Sequence, residues 1–206
     1  MFGTLKKKWN RKHLTDDRFT FLFDDVKNEN EVVVFDCETT GLNPKKDDII
    51  SIGAGKIKGN KIMTNEAIHL FVEQDKQISH ESITIHQIRH CDLEDAIPLK
   101  DAIEQFLHFI GNKTLVGYYL EFDVAMINKY IKPMMGITLP NKQEEVSAIY
   151  YDKKIPTIPQ GNIDLGFEAI LDDLDLPKLQ AHDALNDAVM TAMIYLKLQH
   201  VRRIGT

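Results

Sequence analysis

The stretch Glu31-Val32-Val33-Val34-Phe35-Asp36-Cys37-Glu38 decides the fold of this chain. Residues 32–35 are apolar, mostly β-branched and bounded by polar residues, which is typical of a short strand buried on both faces. We therefore expect this strand in the middle of a sheet. Asp36 and Glu38 close it two residues apart, so their carboxylates project from one face of the strand while Cys37 projects from the other.

Working outward, the pattern predicts two further strands and then a helix. Residues 49–57 and 62–72 are strand-like and are joined by Lys58-Gly59-Asn60-Lys61, in which Gly-Asn favours a tight hairpin. These strands should pair in antiparallel order. Between Leu99 and Ile110 the apolar residues recur at helical spacing, and Gly111 lies where that helix would end.

The rest of the chain alternates between strand and helix. A short strand is predicted over residues 115–119, with a helix that begins near Leu120. This order favours a parallel crossover. After a loop rich in proline and glycine, two more helices are expected over residues 165–176 and 185–198.

The length, composition and net charge of the chain limit which classes of protein it can belong to. The 206 residues, 43% hydrophobic and 27% charged, suffice for one domain with a full core. The two cysteines form no spaced set of zinc ligands and are interpreted as reduced intracellular thiols. A formal net charge of −6 argues against a protein that coats nucleic acid through a broad basic surface. This net charge does not exclude an enzyme that binds only the end of a nucleic-acid strand.

The first part of the chain differs from the rest. We expect residues 1–30 to form an extension, basic and then aromatic, that either packs on or simply precedes a domain over residues 31–200, with a tail over 201–206. No apolar run follows the basic residues, so we predict neither a signal peptide nor a membrane partner, and a cytoplasmic location. The basic cluster either contacts phosphates or a partner, or is a solvated helix face, which is the commoner case. Its members are Lys6, Lys7, Lys8, Arg11 and Lys12.

Three carboxylates are candidates for one metal site. Asp36 and Glu38 at the end of a buried strand would raise each other's pKa unless a cation neutralises them, and a hard divalent ion does so. Alternatively, the pair merely ends the strand and faces water. Asp123 lies in the first turn of the helix near Leu120, where the helix dipole favours an ionised carboxylate.

The last predicted helix carries a further candidate. Asp187 lies between Ala184 and Ala188, small residues that would let this helix pack close to the sheet. His182 is predicted to precede the helix, with Asp183 as its N-cap. Because histidine titrates near neutral pH, His182 on such a loop could take a proton from a metal-bound water. The alternative is an ordinary surface histidine.

Taken together, three segments resemble the exonuclease motifs of the DEDDh family, which includes the proofreading epsilon subunits of bacterial DNA polymerase III. They are Phe35-Asp36-Cys37-Glu38-Thr39-Thr40-Gly41-Leu42, Glu121-Phe122-Asp123 and His182-Asp183-Ala184-Leu185-Asn186-Asp187. The resemblance spans roughly residues 31 to 199. It implies an α/β fold, the RNase H-like mixed five-stranded sheet. The first three strands would be antiparallel, with parallel crossovers after them and helices on the flanks.

The resemblance also implies a catalytic set. Asp36, Glu38, Asp123 and Asp187 resemble the ligands of two Mg²⁺ ions, for which Mn²⁺ would substitute, and His182 resembles the general base. Two such ions activate a water and stabilise the leaving 3′ oxygen, so the product would be a nucleoside 5′-monophosphate.

Substrate contacts follow from the same resemblance. Thr39, Gly41 and Leu42 resemble the loop that holds the terminal nucleotide, although Leu42 alone could be a hydrophobic anchor. His86, within Glu81-Ser82-Ile83-Thr84-Ile85-His86, and Phe122 are further implied contacts. Where many members have His-Asn, this chain has Tyr118-Tyr119. These rings either stack on a base, worth about 1–3 kcal/mol per base, or pack in the strand.

The predicted function is a metal-dependent 3′→5′ exonuclease that acts on single-stranded 3′ ends, with DNA favoured and a polymerase or repair complex as partner. An RNA-trimming exonuclease is the alternative, because the metal chemistry does not depend on the 2′-hydroxyl. A non-catalytic binding module on the same fold is the third hypothesis. Loss of a ligand carboxylate would indicate that module, and the sequence retains all four.

Overall fold

A mixed sheet of five strands organises the chain. The computed structural model describes residues 2–25, 30–74, 96–157 and 162–201, with side chains from residue 7 onward. The strands are β1 (Glu31–Thr39), β2 (Ile49–Lys58), β3 (Lys61–Phe71), β4 (Thr114–Gly117) and β5 (Gln143–Glu145). Their order in the sheet is β3-β2-β1-β4-β5, so the first strand is central, as predicted.

The pairing of the strands confirms the predicted mixed sheet. β2 pairs antiparallel with both β1 and β3, and Asp36 on β1 lies opposite Gly53 on β2. β4 runs parallel to β1, with Val34 opposite Val116, and β5 runs parallel to β4. The carboxyl ends of β1 and β4 therefore meet at one edge of the sheet.

Six helices flank the sheet within the described residues. They are α1 (Phe2–His13), α2 (Leu99–Ile110), α3 (Leu120–Met135), α4 (Val146–Lys154), α5 (Phe167–Asp173) and α6 (Ala184–His200), with short 3-10 turns at Asp17–Phe23 and Ile155–Thr157. The predicted helices at 99–110 and from Leu120 are confirmed. No helix in the described part of the chain combines the length and apolar character needed to cross a membrane.

Two predicted elements are shorter in the structure than the patterns indicate. β4 ends at Gly117 rather than residue 119, because Tyr119 is left-handed (φ 55°) and turns the chain into α3. The helix expected over residues 165–176 covers only Phe167–Asp173. The Asp164 carboxylate accepts a hydrogen bond from the Gly166 N–H (2.8 Å) before it, and the left-handed Asp175 (φ 52°) follows it.

The pleat of β1 divides the core between the two faces of the sheet. Val33, Phe35 and Cys37 belong to a cluster with α2 and α3. Val32 and Val34 belong to a second cluster with α4, α5 and α6. Because strand side chains alternate, Asp36 and Glu38 lie on the face of Val34, which α6 covers.

Part of the predicted extension belongs to the first core cluster. Phe19, Leu22 and Phe23 are buried together with Phe35 and Phe106. Segment 17–23 therefore packs on the domain, one of the two arrangements the sequence left open. The domain boundary at residue 31 stays a prediction.

Candidate active site

Three carboxylates converge where β1 ends and α6 begins. Asp36, Glu38 and Asp187 each offer an oxygen such that these oxygens all lie within 4.8 Å of one another. Glu38 is buried, whereas Asp36 and Asp187 are partly buried. The pair on β1 thus does not simply face water, because a helix carrying a third carboxylate covers it.

A close approach of α6 to the sheet brings Asp187 into place. A Cβ atom at Gly53, opposite Asp36 on β2, would overlap the backbone of Ala184 and Leu185. Ala184, at this contact, and Ala188, one turn further along α6, are both buried. The small residues on both elements therefore set how closely the start of α6 packs against β2.

The N-cap of α6 fixes the orientation of its first turn. The Asp183 carboxylate accepts a hydrogen bond from the Asn186 N–H at 2.8 Å, as expected for an N-cap. His182 precedes the cap with a left-handed backbone (φ 62°) and an exposed side chain. The structure thus places His182 outside the helix, and its backbone hydrogen-bonds to Asp187 and opposes the rise of that carboxyl's pKa.

Asp123 contributes the fourth carboxylate from the first turns of α3. Its side chain is 3% exposed and accepts a hydrogen bond from the Cys37 N–H at 3.2 Å, between Asp36 and Glu38. Burial raises the pKa of Asp123 well above its usual value, and the charge of Glu38 adds to the rise. Asp123 therefore faces the same centre, although it lies outside the group of three.

The electrostatics of this centre call for a cation. Burial raises the pKa of Asp36 well above its usual value, and the charges of Asp123 and Glu38 raise it further. Burial, followed by the charge of Glu38, raises the pKa of Asp187 to about 7. The Asp187 Oδ1 atom is buried without a hydrogen-bond partner. An all-oxygen donor set with an unsatisfied carboxylate oxygen fits a hard divalent ion such as Mg²⁺ or Mn²⁺.

The loop after β1 holds the next predicted residues. Thr39 is buried, and its hydroxyl donates to the Gly41 carbonyl at 2.8 Å. A Cβ atom on Gly41 would lie 2.6 Å from Asp47 Oδ2, so a side chain there would require the Asp47 carboxylate to move. Leu42 is 85% exposed, which removes the alternative that it anchors the loop in the core.

The tyrosine pair separates into two different environments. The Tyr118 ring packs against Phe167 (4.8 Å between centroids), and its hydroxyl donates to the Leu165 carbonyl at 3.0 Å. Tyr119 is 69% exposed, and its ring lies nearly parallel to Phe122 (6.3 Å, 18°). Each alternative thus fits one ring: Tyr118 packs against its neighbours, although outside the strand, and Tyr119 is available at the surface.

The predicted contact His86 lies outside the described residues.

Sequence reasoning also missed two groups that support the site. Glu145, the N-cap of α4, accepts a hydrogen bond from the Leu120 N–H (2.8 Å) and so secures the start of α3. Asp48, in the loop after β1, accepts from Lys129 Nζ (2.7 Å) and the Tyr130 hydroxyl (2.8 Å) on α3. An acidic residue just before a helix was the available signal for Glu145.

Comparison with known proteins decides the family. The family model described as Exonuclease (RNase_T) matches residues 33–195. The chain belongs to this exonuclease family. The family consists of nucleases that hydrolyse nucleic acid from an end. Its matched segment contains every carboxylate of the centre described above.

Two relatives of this chain carry names of DNA polymerase III proteins. The chain is 29% identical over 174 residues to the PolC-type DNA polymerase III of Thermotoga maritima, covering 84% of this chain and 12% of that protein. It is also 29% identical over 174 residues to the DNA polymerase III subunit epsilon of Rickettsia prowazekii, covering 81% of this chain and 72% of the subunit. The chain thus spans about an eighth of the PolC-type proteins it matches.

Solved structures support the fold. The complex of E. coli exonuclease I with a dA16 oligonucleotide superposes with a TM-score of 0.66 at 14% identity, covering 82% of this chain and 41% of the other. At this identity the likeness shows the fold alone. It agrees with the RNase H-like sheet predicted from the sequence.

The contact between β2 and α6 can be tested by substitution. Gly53→Ala should lower the free energy of unfolding by about 1–3 kcal/mol, because the new methyl group overpacks the start of α6. It should also reduce nuclease activity, since Asp187 would shift away from Asp36. Thermal denaturation and nucleotide release measure the two effects. Gly55→Ala is the matched control on the same strand, where a Cβ meets nothing within 4 Å; an equal loss in both variants would contradict this account.

Proposed function

We propose that the chain is a metal-dependent 3′→5′ exonuclease that removes nucleoside 5′-monophosphates from single-stranded DNA ends. The convergence of Asp36, Glu38 and Asp187 on one centre, with Asp123 beside it, carries the proposal. A non-catalytic module would have no reason to retain four mutually repelling carboxylates at a buried strand end. Membership of the exonuclease family supports the same conclusion.

In this proposal the four carboxylates hold two divalent ions, Mg²⁺ or Mn²⁺. When bound, these ions supply a nucleophilic water at neutral pH and charge stabilisation for the departing 3′ oxygen. His182 takes a proton from the attacking water, which its exposed position before α6 permits. Asp183 keeps that position by capping the helix, and Glu145 holds the start of α3, which carries Asp123.

The loop after β1 and the start of α3 carry the residues proposed to bind the substrate. Thr39, Gly41, Leu42 and Phe122 contact the terminal nucleotide in this proposal. A polymerase or repair complex is the proposed partner, since one relative is named as the epsilon subunit of DNA polymerase III. A cytoplasmic location belongs to the same proposal.

Digestion of end-labelled oligomers tests the reaction. Single-stranded DNA and RNA of the same sequence, labelled at the 3′ or the 5′ end, are incubated with Mg²⁺, Mn²⁺ or chelator. We expect 3′-labelled DNA to release labelled mononucleotide at once, 5′-labelled DNA to shorten stepwise, and chelator to stop both. Faster digestion of RNA would support the RNA-trimming alternative, and immediate mononucleotide release from the 5′ label would contradict the polarity.

Tyr119 is expected to contribute to substrate binding. β4 and β1 are parallel and in register at Val116 and Val34, so Tyr119 leaves the sheet at the edge where Asp36 and Glu38 lie. Its exposed ring can stack on an unpaired base, worth about 1–3 kcal/mol. Tyr119→Ala should therefore raise KM for single-stranded DNA about 10-fold with little change in kcat, whereas Tyr119→Phe should retain the wild-type KM.

Tyr151 on α4 provides the matched control, because it is also exposed (39%) but belongs to another helix. Tyr151→Ala should leave KM unchanged. A Tyr119→Ala variant with unchanged KM, or a Tyr119→Phe variant as impaired as alanine, would contradict a stacking role.

A further inference from the structure

Helix α1 presents a basic and aromatic surface outside the segment that the family model matches. We define the α1 face as Lys8, Trp9, Arg11, Lys12 and His13, all exposed. Trp9 is 58% exposed, and its ring lies 3.9 Å from the His13 ring between centroids. An exposed tryptophan among cations is unusual for a helix face that serves only to meet water.

Specific contacts hold α1 on the domain with this face outward. Asn10 is 1% exposed, and its amide donates to the Thr138 carbonyl (3.0 Å) and to the Thr138 hydroxyl (3.2 Å). The Thr15 N–H donates to the Met135 carbonyl at 3.0 Å. Gly136 lies against the end of the helix, where a Cβ atom would overlap the His13 carbonyl oxygen. The α1 face therefore has a defined position on the domain.

The charge of α1 is opposite to that of the rest of the chain. Residues 2–13 contain five lysines and arginines and no acidic residue, which gives this segment +5 in a chain of −6 overall and leaves −11 elsewhere. A cationic surface with aromatic rings is the combination that binds single-stranded nucleic acid, through phosphates and base stacking together.

The position of α1 suits contact with a nucleic-acid strand whose 3′ end lies at the carboxylate centre. Asp123 lies near the start of α3. The segment that follows α1 is attached at the opposite end of α3, where the Thr15 N–H bonds to the Met135 carbonyl. Twelve residues of helix separate these points, about 18 Å at about 1.5 Å per residue. A stacked strand covers that distance in about five nucleotides, at about 3.4 Å each.

We propose that the α1 face is a second contact for single-stranded nucleic acid, which binds the strand about five or more nucleotides upstream of the 3′ end. Trp9 stacks on a base while Lys8, Arg11 and Lys12 neutralise phosphates. The choice of this occupant rests on the proposed exonuclease function. An anionic membrane surface, the other ligand that a basic helix with a tryptophan could take, is an outcome of the test.

Trp9 is the single tryptophan of the chain, so its fluorescence reports directly on this surface. The full-length protein in chelator, which prevents digestion, is titrated with dT12, with dT3 and with vesicles of phosphatidylserine and phosphatidylcholine. We expect dT12 to quench Trp9 fluorescence with a salt-dependent Kd, and dT3 to cause little quenching. Absence of quenching by dT12, or a response to the vesicles alone, would overturn the proposal.

Kinetics on oligomers of two lengths give a second readout. Trp9→Ala combined with Arg11→Ala should raise KM for dT12 about 10-fold without a comparable rise for dT4, which cannot reach α1. Lys100→Ala combined with Lys197→Ala is the control, because both lysines are exposed on other helices. Equal KM changes for dT12 and dT4 would overturn the proposal. If no variant or wild type releases nucleotide but dT12 still quenches Trp9, the exonuclease proposal fails and the binding surface stands.

Discussion

Asp36→Ala and Asp187→Ala are each expected to reduce nucleotide release by about 10³-fold or more. Each variant removes one of the carboxylates that converge within 4.8 Å, and metal ions supply several kcal/mol of transition-state stabilisation, which converts to a factor of this size. The measurement is mononucleotide release from 3′-labelled single-stranded DNA at saturating Mg²⁺. Full activity in either purified variant would overturn the assignment of the metal ligands.

These variants should remain folded, because the carboxylates destabilise the metal-free protein. Burial raises the pKa of Asp187 to about 7, so the folded state binds a proton more tightly than the unfolded state. The stability of the metal-free protein should therefore fall as pH rises from about 4 to about 7. Asp187→Asn should unfold at or above the wild-type temperature in chelator at about pH 8. Asp152→Ala, which removes an exposed carboxylate on α4, should change neither activity nor stability.

His182→Ala is expected to slow hydrolysis by roughly 10²–10⁴-fold, the usual contribution of a general base. The side chain is exposed just before the cap of α6, the helix that carries Asp187. The rates of nucleotide release by the wild type and the variant are compared between about pH 6 and pH 9.

The matched control for this substitution lies at the opposite end of α6. His200 is also exposed, so His200→Ala should leave the rate and its pH dependence unchanged. A His182→Ala variant whose rate is unaltered between about pH 6 and pH 9 would contradict its role as general base.

Most of the fold could be predicted because its signals are local. A β-branched run before Asp36 indicated the central strand, and the Gly59-Asn60 turn indicated the hairpin. The boundaries that failed depended on single backbone conformations. Tyr119 and Asp175 both adopt left-handed backbone. Tyrosine adopts it rarely and aspartate more often, but the spacing of apolar residues indicates neither conformation.

The candidate site was only partly predictable. The resemblance pointed to the four carboxylates and to His182, and the spacing placed Asp36 and Glu38 on one face of the strand. Neither the resemblance nor the spacing could show that the backbone of α6 packs directly against Gly53, since this contact joins residues that are more than 130 positions apart. The contacts of Asp48 with α3 were missed for the same reason, whereas Glu145 had a local signal, an acidic residue just before a helix.

The amino-acid sequence by itself determined the order of β1 to β4, α2, α3, α5 and α6, the same-face placement of Asp36 and Glu38, and the family resemblance, because each depends on residues close together in the chain or on short motifs. The short strand β5 and the helices α1 and α4 were not predicted. The tertiary structure alone decided that Tyr119 is exposed while Tyr118 packs, that Leu42 is not an anchor, and that Asn10 holds a basic helix on the domain. Those features depend on packing between distant segments, and a linear pattern does not encode the distance between side chains that meet only when the sheet and its helices close together.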